Sequence, residues 1–216
     1  MASAGNNVRK RVAIIGAGVG GLTAIRHTLL YGCEPVCYEA QDNFAGIWRY
    51  KEKSSDQYGS VMESTVMNSS KEMNAFTDFP PRADYANFMP HVEYLQYLEE
   101  YAQHYDLLRH VRYQTKVLNI MRTADFKNTG KWELHIQNSD GSTVSEVFDG
   151  VVVSNGHFSR PMYPEPVPGQ ETFEGTITHG HYYKNSIGRE NKVIVVVGTG
   201  NSGGDVASEL ARPAKQ

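Results

Sequence analysis

Two short glycine-rich stretches hold the residues whose types and spacing could do chemistry. They are "GAGVGG", Gly16–Gly21, near the start of the chain, and "GTGNSGG", Gly198–Gly204, near its end. Both carry the spacing G-x-G-x-x-G, and such a turn at the start of a helix can cradle a phosphate on backbone N–H groups. In the first stretch Gly16 permits a tight turn, Gly18 has no side chain to block a pyrophosphate, and Gly21 lets helix and strand pack closely. Ala17, Val19 and Gly20 complete that loop. Glu39 follows at about 20 residues, where an acid can accept a ribose hydroxyl. In the second stretch Gly198, Gly200 and Gly203 take the same places, with Asn201, Ser202, Gly204 and Asp205 entering the next helix.

The surrounding sequence supplies the elements that such turns need. The β-branched run Val12–Ile15 precedes Gly16, a helical stretch runs to Leu30 and stops at Gly32, and "EPVCYEA" reads as a second strand that finishes in Glu39. "HVEYLQYLEEYAQHYDLL" places Val92, Leu95, Leu98, Tyr101, Ala102, Tyr105 and Leu108 at three- and four-residue steps, a helix with one apolar stripe. "YQTKVLNIMRT", "KWELHIQ" and "STVSEVFDGVVVSNG" read as strands of a β-meander, with a tight turn at Asn138–Ser142. The apolar run Val151–Val153 predicts a strand covered on both faces. Four prolines between Arg160 and Gly169 predict a linker, and Val193–Val197 predicts a strand leading into the second glycine turn. The fold class is therefore α/β: a Rossmann-like domain with an inserted β-meander over residues 1–160, a linker over 161–190, and the start of a second Rossmann domain over 191–216. Two dinucleotide turns imply two dinucleotides, as in an enzyme that holds a flavin and reduces it with a nicotinamide.

Composition narrows the alternatives. A chain of 216 residues with 40% hydrophobic and 21% charged residues can bury a core. A net charge of −3 without a Lys/Arg block argues against nucleic-acid binding. No apolar run reaches the roughly 18 to 20 residues of a membrane span, and the N-terminus lacks a signal-peptide pattern, so the chain is expected to face the cytosol. Cys33 and Cys37 share one strand-like stretch and read as small buried side chains rather than redox groups. A flavin disulfide reductase would need its cysteine pair after the first strand–helix–strand unit, whereas these two precede Glu39. His157, His179 and His181 lack carboxylate or cysteine partners at zinc-like spacing, so no metal is expected.

Between the two turns lies "FEGTITHGHYYK", in which Phe173, Gly175, His179 and Tyr183 fit F-x-G-x-x-x-H-x-x-x-(F/Y). With "AGIWRY", "NSSKEMNAFTDFPP" and "SNGHFSRP", this makes nearly the whole chain resemble the flavin-containing monooxygenases, in the group that oxygenates soft nitrogen and sulfur nucleophiles. The resemblance implies FAD on Gly16, Gly18 and Gly21, with Glu39 on the adenosine ribose and Ile47 and Trp48 along the flavin. It implies NADPH on Gly198, Gly200, Ser202 and Gly203. Asn68 and Ser69 are implied beside the isoalloxazine ring, where Asn68 would take a catalytic role; local sequence alone favours Asn68 as a cap on its own backbone. His179 reads as a linker histidine or a proton-transfer group. The implied reaction uses NADPH, O₂ and a small nucleophilic substrate through a C4a-hydroperoxyflavin.

Two departures from the family pattern stand out. Ala45 replaces the first glycine of a GG-x-W pair, which puts a methyl group where the family keeps none. "GGDVASELARPAKQ" ends within the first helix of the second domain, whereas the family runs much longer, so a truncated product is expected. Its alternatives are an active N/S-monooxygenase or an inactive FAD-binding fragment, with self-association through the uncovered strand. A longer form could carry a C-terminal anchor to the endoplasmic reticulum membrane.

Overall fold

The computed structural model describes residues 9–53 and 55–215. These group into two compact units, one of residues 9–46 and 96–156, the other of 47–95 and 157–215.

In the first unit β1 (Arg11–Ile15) leads into helix α1 (Val19–Leu30), which returns to β2 (Glu34–Tyr38). β1 pairs in parallel with β2 on one side and with β7 (Gly150–Val153) on the other, and a short β3 (Val111–Arg112) extends the sheet beyond β2. The order is β3-β2-β1-β7. Its register aligns Ile15 with both Tyr38 and Val153, so the segments that follow β1, β2 and β7 leave the sheet at one level. That level, at the carboxyl ends of parallel strands flanking a change of strand order, is where open α/β sheets bind ligands.

A second, antiparallel sheet is formed by β4 (Lys116–Arg122), β5 (Trp132–Gln137) and β6 (Thr143–Phe148), the expected meander. The turn at 138–142 is closed by Asn138 N–H donating to Ser142 O at 2.9 Å. Ala13, Val36 and Tyr38 of the parallel sheet pack with Leu134, Ile136 and Phe148 of the meander in one core. A single turn of helix, α3 (Phe126–Thr129), caps the β4–β5 connection.

Helix α2 (His91–His104) contributes to both units. Its buried apolar residues are Tyr94, Tyr97, Leu98, Tyr101 and Ala102, while Val92 is 57% exposed. Leu98, Tyr101 and Ala102 of the expected stripe are thus buried, and Tyr94 and Tyr97 join them on the inward face in place of Val92.

The second unit is built mostly of turns and extended segments. It holds the 3-10 turn Gly46–Trp48 at its start and helix α4 (Asn201–Leu210) near its end. Met62, Tyr183 and Leu210 form one buried cluster in it, with Ile194, Val196 and Val206 packed against them.

Three expectations are corrected. Among the described residues β7 is an edge strand paired with β1 alone, and Val152 and Val153 are exposed rather than covered on both faces. Cys33 lies in the turn before β2 and is half-buried, whereas Cys37 is buried within the strand. The segment Val193–Val197 joins no sheet among the described residues. It keeps the alternation of a strand, since Ile194 and Val196 pack inward while Val193, Val195 and Val197 are 67%, 82% and 94% exposed. A strand needs a neighbour to hold its N–H and C=O groups, and none of the described residues supplies one.

Candidate functional site

The first glycine turn begins where β1 stops. Gly16 takes φ +94, a left-handed value open to glycine, and donates its N–H to Tyr38 O at 2.8 Å. A Cβ there would lie 2.6 Å from Ser154 O, so the turn is pinned between the ends of β2 and β7. Gly18 is the N-cap of α1, with φ −73 and ψ −167. The first intrahelical bond runs from Leu22 N–H to Gly18 O, which leaves the N–H groups of Val19, Gly20 and Gly21 ahead of the helical ladder. A Cβ on Gly21 would meet Gly16 O at 1.9 Å, whereas a Cβ on Gly18 would meet nothing closer than Gly46 Cα at 3.8 Å. Gly21 is therefore a packing glycine. Gly18 is not required by the fold, since a Cβ there would make only ordinary contacts.

The carboxylate of Glu39 is buried at the end of β2. Its Oε2 accepts from Ala17 N–H at 2.7 Å and its Oε1 from Gln41 N–H at 2.8 Å, which locks it beside the turn as a fixed acceptor. No acidic residue lies in the first turn of α1, so the positive end of the helix is not neutralised from within. Beneath the turn Cys37 Sγ approaches Gly16 O at 3.6 Å. Burial, and then the charge of Glu39, push its thiol up to about 12, so it is an inert packing group. Beyond Glu39 opens a hollow of about 390 Å³ lined by Ala40, Gln114, Lys116, Gln137, Asn138 and Ser139 among others. Gln114 holds a left-handed φ of +50, a backbone feature that composition does not signal.

Ala45 and Gly46 strap the turn from above. Ala45 N–H donates to Ala17 O at 2.9 Å, and both residues have positive φ, +77 and +55. The methyl of Ala45 is fully buried, so it is accommodated in a conformation that disfavours a side chain. The close approach to the turn falls on Gly46, where a Cβ would lie 3.3 Å from Gly18 Cα.

In the second unit Ile47 and Trp48 occupy the 3-10 turn, with Ile47 O accepting from Val61 N–H at 2.9 Å. Trp48 stands edge-on to Tyr94 with ring centroids 4.6 Å apart. Asn68 is exposed, and no hydrogen bond ties its amide to a described residue, so the backbone cap that local sequence favours is not made. Ser69 follows it, held by Asn74. Lys71 donates from Nζ to Ala83 O at 2.7 Å and to Tyr85 O at 2.6 Å, anchoring the turn that carries both. Asn74 and Lys71 went unseen as contributors because their roles depend on where the loop folds back.

The second glycine turn repeats the first. Gly198 has φ +118, Gly200 is the N-cap of α4 with φ −73 and ψ 177, and Gly204 N–H to Gly200 O is the first helical bond at 2.9 Å. A Cβ on Gly203 would meet Gly198 O at 2.3 Å, the counterpart of Gly21 against Gly16. Asn201, Ser202 and Asp205 are exposed on the first turn and a half of α4. Between the two turns, a Cβ on Gly175 would meet the ring of Phe173 at 2.4 Å, a contact that the exposed Phe173 side chain could relieve by turning away. His179 Nδ1 accepts from His181 N–H at 3.1 Å and its Nε2 meets Met162 O at 3.2 Å, so both ring nitrogens are spent on backbone groups of the linker region.

A glycine turn at the end of a central parallel strand, with a buried acid at the end of the next, defines a Rossmann-type fold, the class that binds dinucleotides. The comparisons with known proteins narrow this. A family profile described as flavin-binding monooxygenase-like matches residues 9–216, and the chain belongs to that family. It is 42% identical over 208 residues to dimethylaniline monooxygenase (N-oxide-forming) 4 from Homo sapiens, and 41% identical over 209 residues to flavin-containing monooxygenase 5 from Homo sapiens. Each match covers 96% of this chain, which spans 37% and 39% of the length of these relatives. Among solved structures it resembles S-allyl-L-cysteine S-oxygenase from Allium sativum with a TM-score of 0.87 and 29% identity, over 97% of this chain and 50% of that one. Tmm from Pelagibacter sp. strain HTCC7211 matches with a TM-score of 0.81 and 30% identity, over 94% and 49% of the two chains. The resemblance read from the motifs is thereby established at the level of the family and of its Rossmann-type FAD-binding fold. No helix among the described residues is long and apolar enough to cross a membrane.

Proposed function

We propose that the chain carries the FAD-binding part of an NADPH-dependent monooxygenase that oxygenates soft nitrogen or sulfur atoms of small molecules. The observation that carries the reading is the repetition of one glycine-turn geometry at Gly16–Gly21 and Gly198–Gly203, each opening a helix without an acid in its first turn. Residues 1–160 are assigned to the FAD-binding domain, 161–190 to the linker and 191–216 to the opening of the NADPH-binding domain. The residues fit the cofactor: Gly18 leaves space on the phosphate side, and Glu39 is a fixed acceptor for a ribose hydroxyl.

In this reading the N–H groups of Val19, Gly20 and Gly21 hold the FAD pyrophosphate, and Ile47 and Trp48 line the flavin. Asn68 offers an unpartnered amide, and Ser69 a hydroxyl, to the ring. Gly198, Gly200, Ser202 and Gly203 hold the NADPH pyrophosphate. When bound, the flavin supplies the redox chemistry that activates O₂. The chain's part is to orient the cofactors and keep water out. The printed names of the relatives, an N-oxide-forming monooxygenase and an S-oxygenase, support nitrogen and sulfur as the target atoms.

A second reading, FAD binding without turnover, is favoured by the exposed row Val193, Val195 and Val197 beside the second turn. That row, free of charge and proline, also supports self-association by strand pairing. The test supplies the FAD-loaded chain with NADPH, O₂ and a tertiary amine or thioether. N-oxide or sulfoxide formed in step with NADPH consumed supports the monooxygenase. Bound FAD that NADPH leaves oxidised supports the second reading.

A further inference from the structure

Asn74 lies within a turn that Lys71 pins from both ends, through Nζ to Ala83 O and Tyr85 O and through its own N–H to Asn87 O at 2.7 Å. Its side-chain Nδ2 donates to Ser69 O at 3.1 Å, to Ser69 Oγ at 2.8 Å and to Ser70 O at 2.9 Å. Three acceptors around one amide nitrogen fix which end of the amide faces Ser69, because the oxygen end would face three oxygens there. The shortest of the three contacts is to the Ser69 hydroxyl, which therefore acts as an acceptor toward Asn74.

A hydroxyl has one hydrogen to give. With Asn74 occupying a lone pair, the Ser69 hydrogen must point elsewhere, and no described residue accepts it. The neighbouring Asn68 is exposed and likewise unpartnered. Two adjacent residues, the Asn68 amide and the Ser69 hydroxyl through its hydrogen, thus keep hydrogen-bonding capacity that no described residue takes up, on a turn whose backbone is otherwise tied down.

We infer that Asn74 is a positioning residue that sets Ser69 as a hydrogen-bond donor to the bound flavin, taking a carbonyl oxygen or unprotonated nitrogen of the ring as acceptor. This rests on the reading of Asn68 and Ser69 as flavin neighbours. Asn74 touches no ligand itself and acts through the Ser69 hydroxyl. A donor in that place stabilises negative charge developing on the ring, so its loss changes the flavin's electronic spectrum as well as its affinity.

The experiment is a double-mutant cycle in the 216-residue chain with FAD as the probe. It reads the FAD dissociation constant, the visible absorption band of the bound flavin and the thermal unfolding midpoint. Losing one hydrogen bond of ordinary strength predicts FAD binding weakened about five-fold in Ser69→Ala, and by a similar factor in Asn74→Ala. Both variants should shift the flavin band in the same direction. The double variant should bind FAD no more weakly than Ser69→Ala alone, since Asn74 has nothing left to orient. Asn74→Asp keeps the shape but turns an acceptor toward three acceptors, and is expected to lose at least as much affinity as Asn74→Ala. Additive losses in the double variant, or an Asn74→Ala chain with unchanged affinity and spectrum, would overturn the role of Asn74 while leaving FAD binding intact. A parent chain that takes up no FAD overturns the underlying functional reading, and this inference with it.

Discussion

Gly18→Ala separates what the fold requires from what a ligand requires. The added Cβ would lie 3.8 Å from Gly46 Cα and 4.0 Å from Gly46 N, ordinary contact distances, and the residue sits at φ −73, which alanine adopts freely. The change should therefore alter stability by no more than about 1 kcal/mol. On the ligand side, in the proposed site, the methyl would occupy the approach of the pyrophosphate to the first N–H groups of α1. Two charge-assisted hydrogen bonds at about 1.5–3 kcal/mol each are lost or stretched, a total of about 3–6 kcal/mol, which weakens FAD at least about 100-fold. Gly21→Ala is the contrasting variant: its Cβ would fall 1.9 Å from Gly16 O, so the turn must move and about 3 kcal/mol or more of stability should go. FAD titration by fluorescence quenching, run beside thermal melts, reads both quantities. A Gly18→Ala chain that binds FAD as tightly as the parent would refute the placement of the pyrophosphate. A Gly18→Ala chain that melts as low as Gly21→Ala would refute the claim that the fold leaves this position open.

Further outcomes follow from the charges and the exposed surfaces. Cys37, raised to about 12 by burial and by Glu39, should carry only about one part in ten thousand of thiolate at pH 8, so iodoacetamide should label Cys33 and spare Cys37 until the chain unfolds, as read by peptide mass spectrometry. Burial alone would raise the Glu146 carboxyl, but hydrogen bonds from Arg11, at 2.9 Å, and Arg112 outweigh it and hold the group below the usual carboxylate range. A lowered carboxyl stabilises the fold above its unfolded pKa, near 4.3, and loses that contribution as pH falls toward the folded value, so the melting gap between parent and Glu146→Gln should close between about pH 6 and pH 3. Val195→Lys places a charge in the exposed valine row and should lower the mass seen by light scattering at high concentration without lowering FAD affinity; an unchanged mass distribution would remove the row from any association.

The two glycine turns were legible because their geometry is a local property. Gly21 follows Gly16, and Gly203 follows Gly198, with four residues between, and in both turns the later glycine closes on the carbonyl of the earlier one. Glu39 was legible for the same reason, since strand, helix and strand lengths fix where β2 must end. What depends on neighbours was not. Val151–Val153 and Val193–Val197 have the composition of covered strands, yet among the described residues one lies at a sheet edge and the other joins no sheet, because the number of adjacent strands is not written in a strand's own residues. Leu98, Tyr101 and Ala102 on the inward face of α2 were legible from their spacing, whereas Tyr94 and Tyr97 were not, because a tyrosine can be read as core or surface. Ala45 was noticed as a missing glycine, but its left-handed backbone and the transfer of the close contact to Gly46 needed the strap to be seen against the turn. Asn74 was invisible for want of any spacing rule that folds its amide back onto Ser69.

The central claim is that the turn at Gly16–Gly21, with Glu39, holds FAD. The most direct measurement loads the purified chain with FAD, removes free cofactor by gel filtration, and compares flavin absorbance with protein concentration, using Gly18→Val as the control. The account predicts close to one FAD per parent chain and little in the variant, whose branched side chain fills the phosphate's space. A parent chain that emerges colourless, or a Gly18→Val chain that retains as much flavin as the parent, would contradict it.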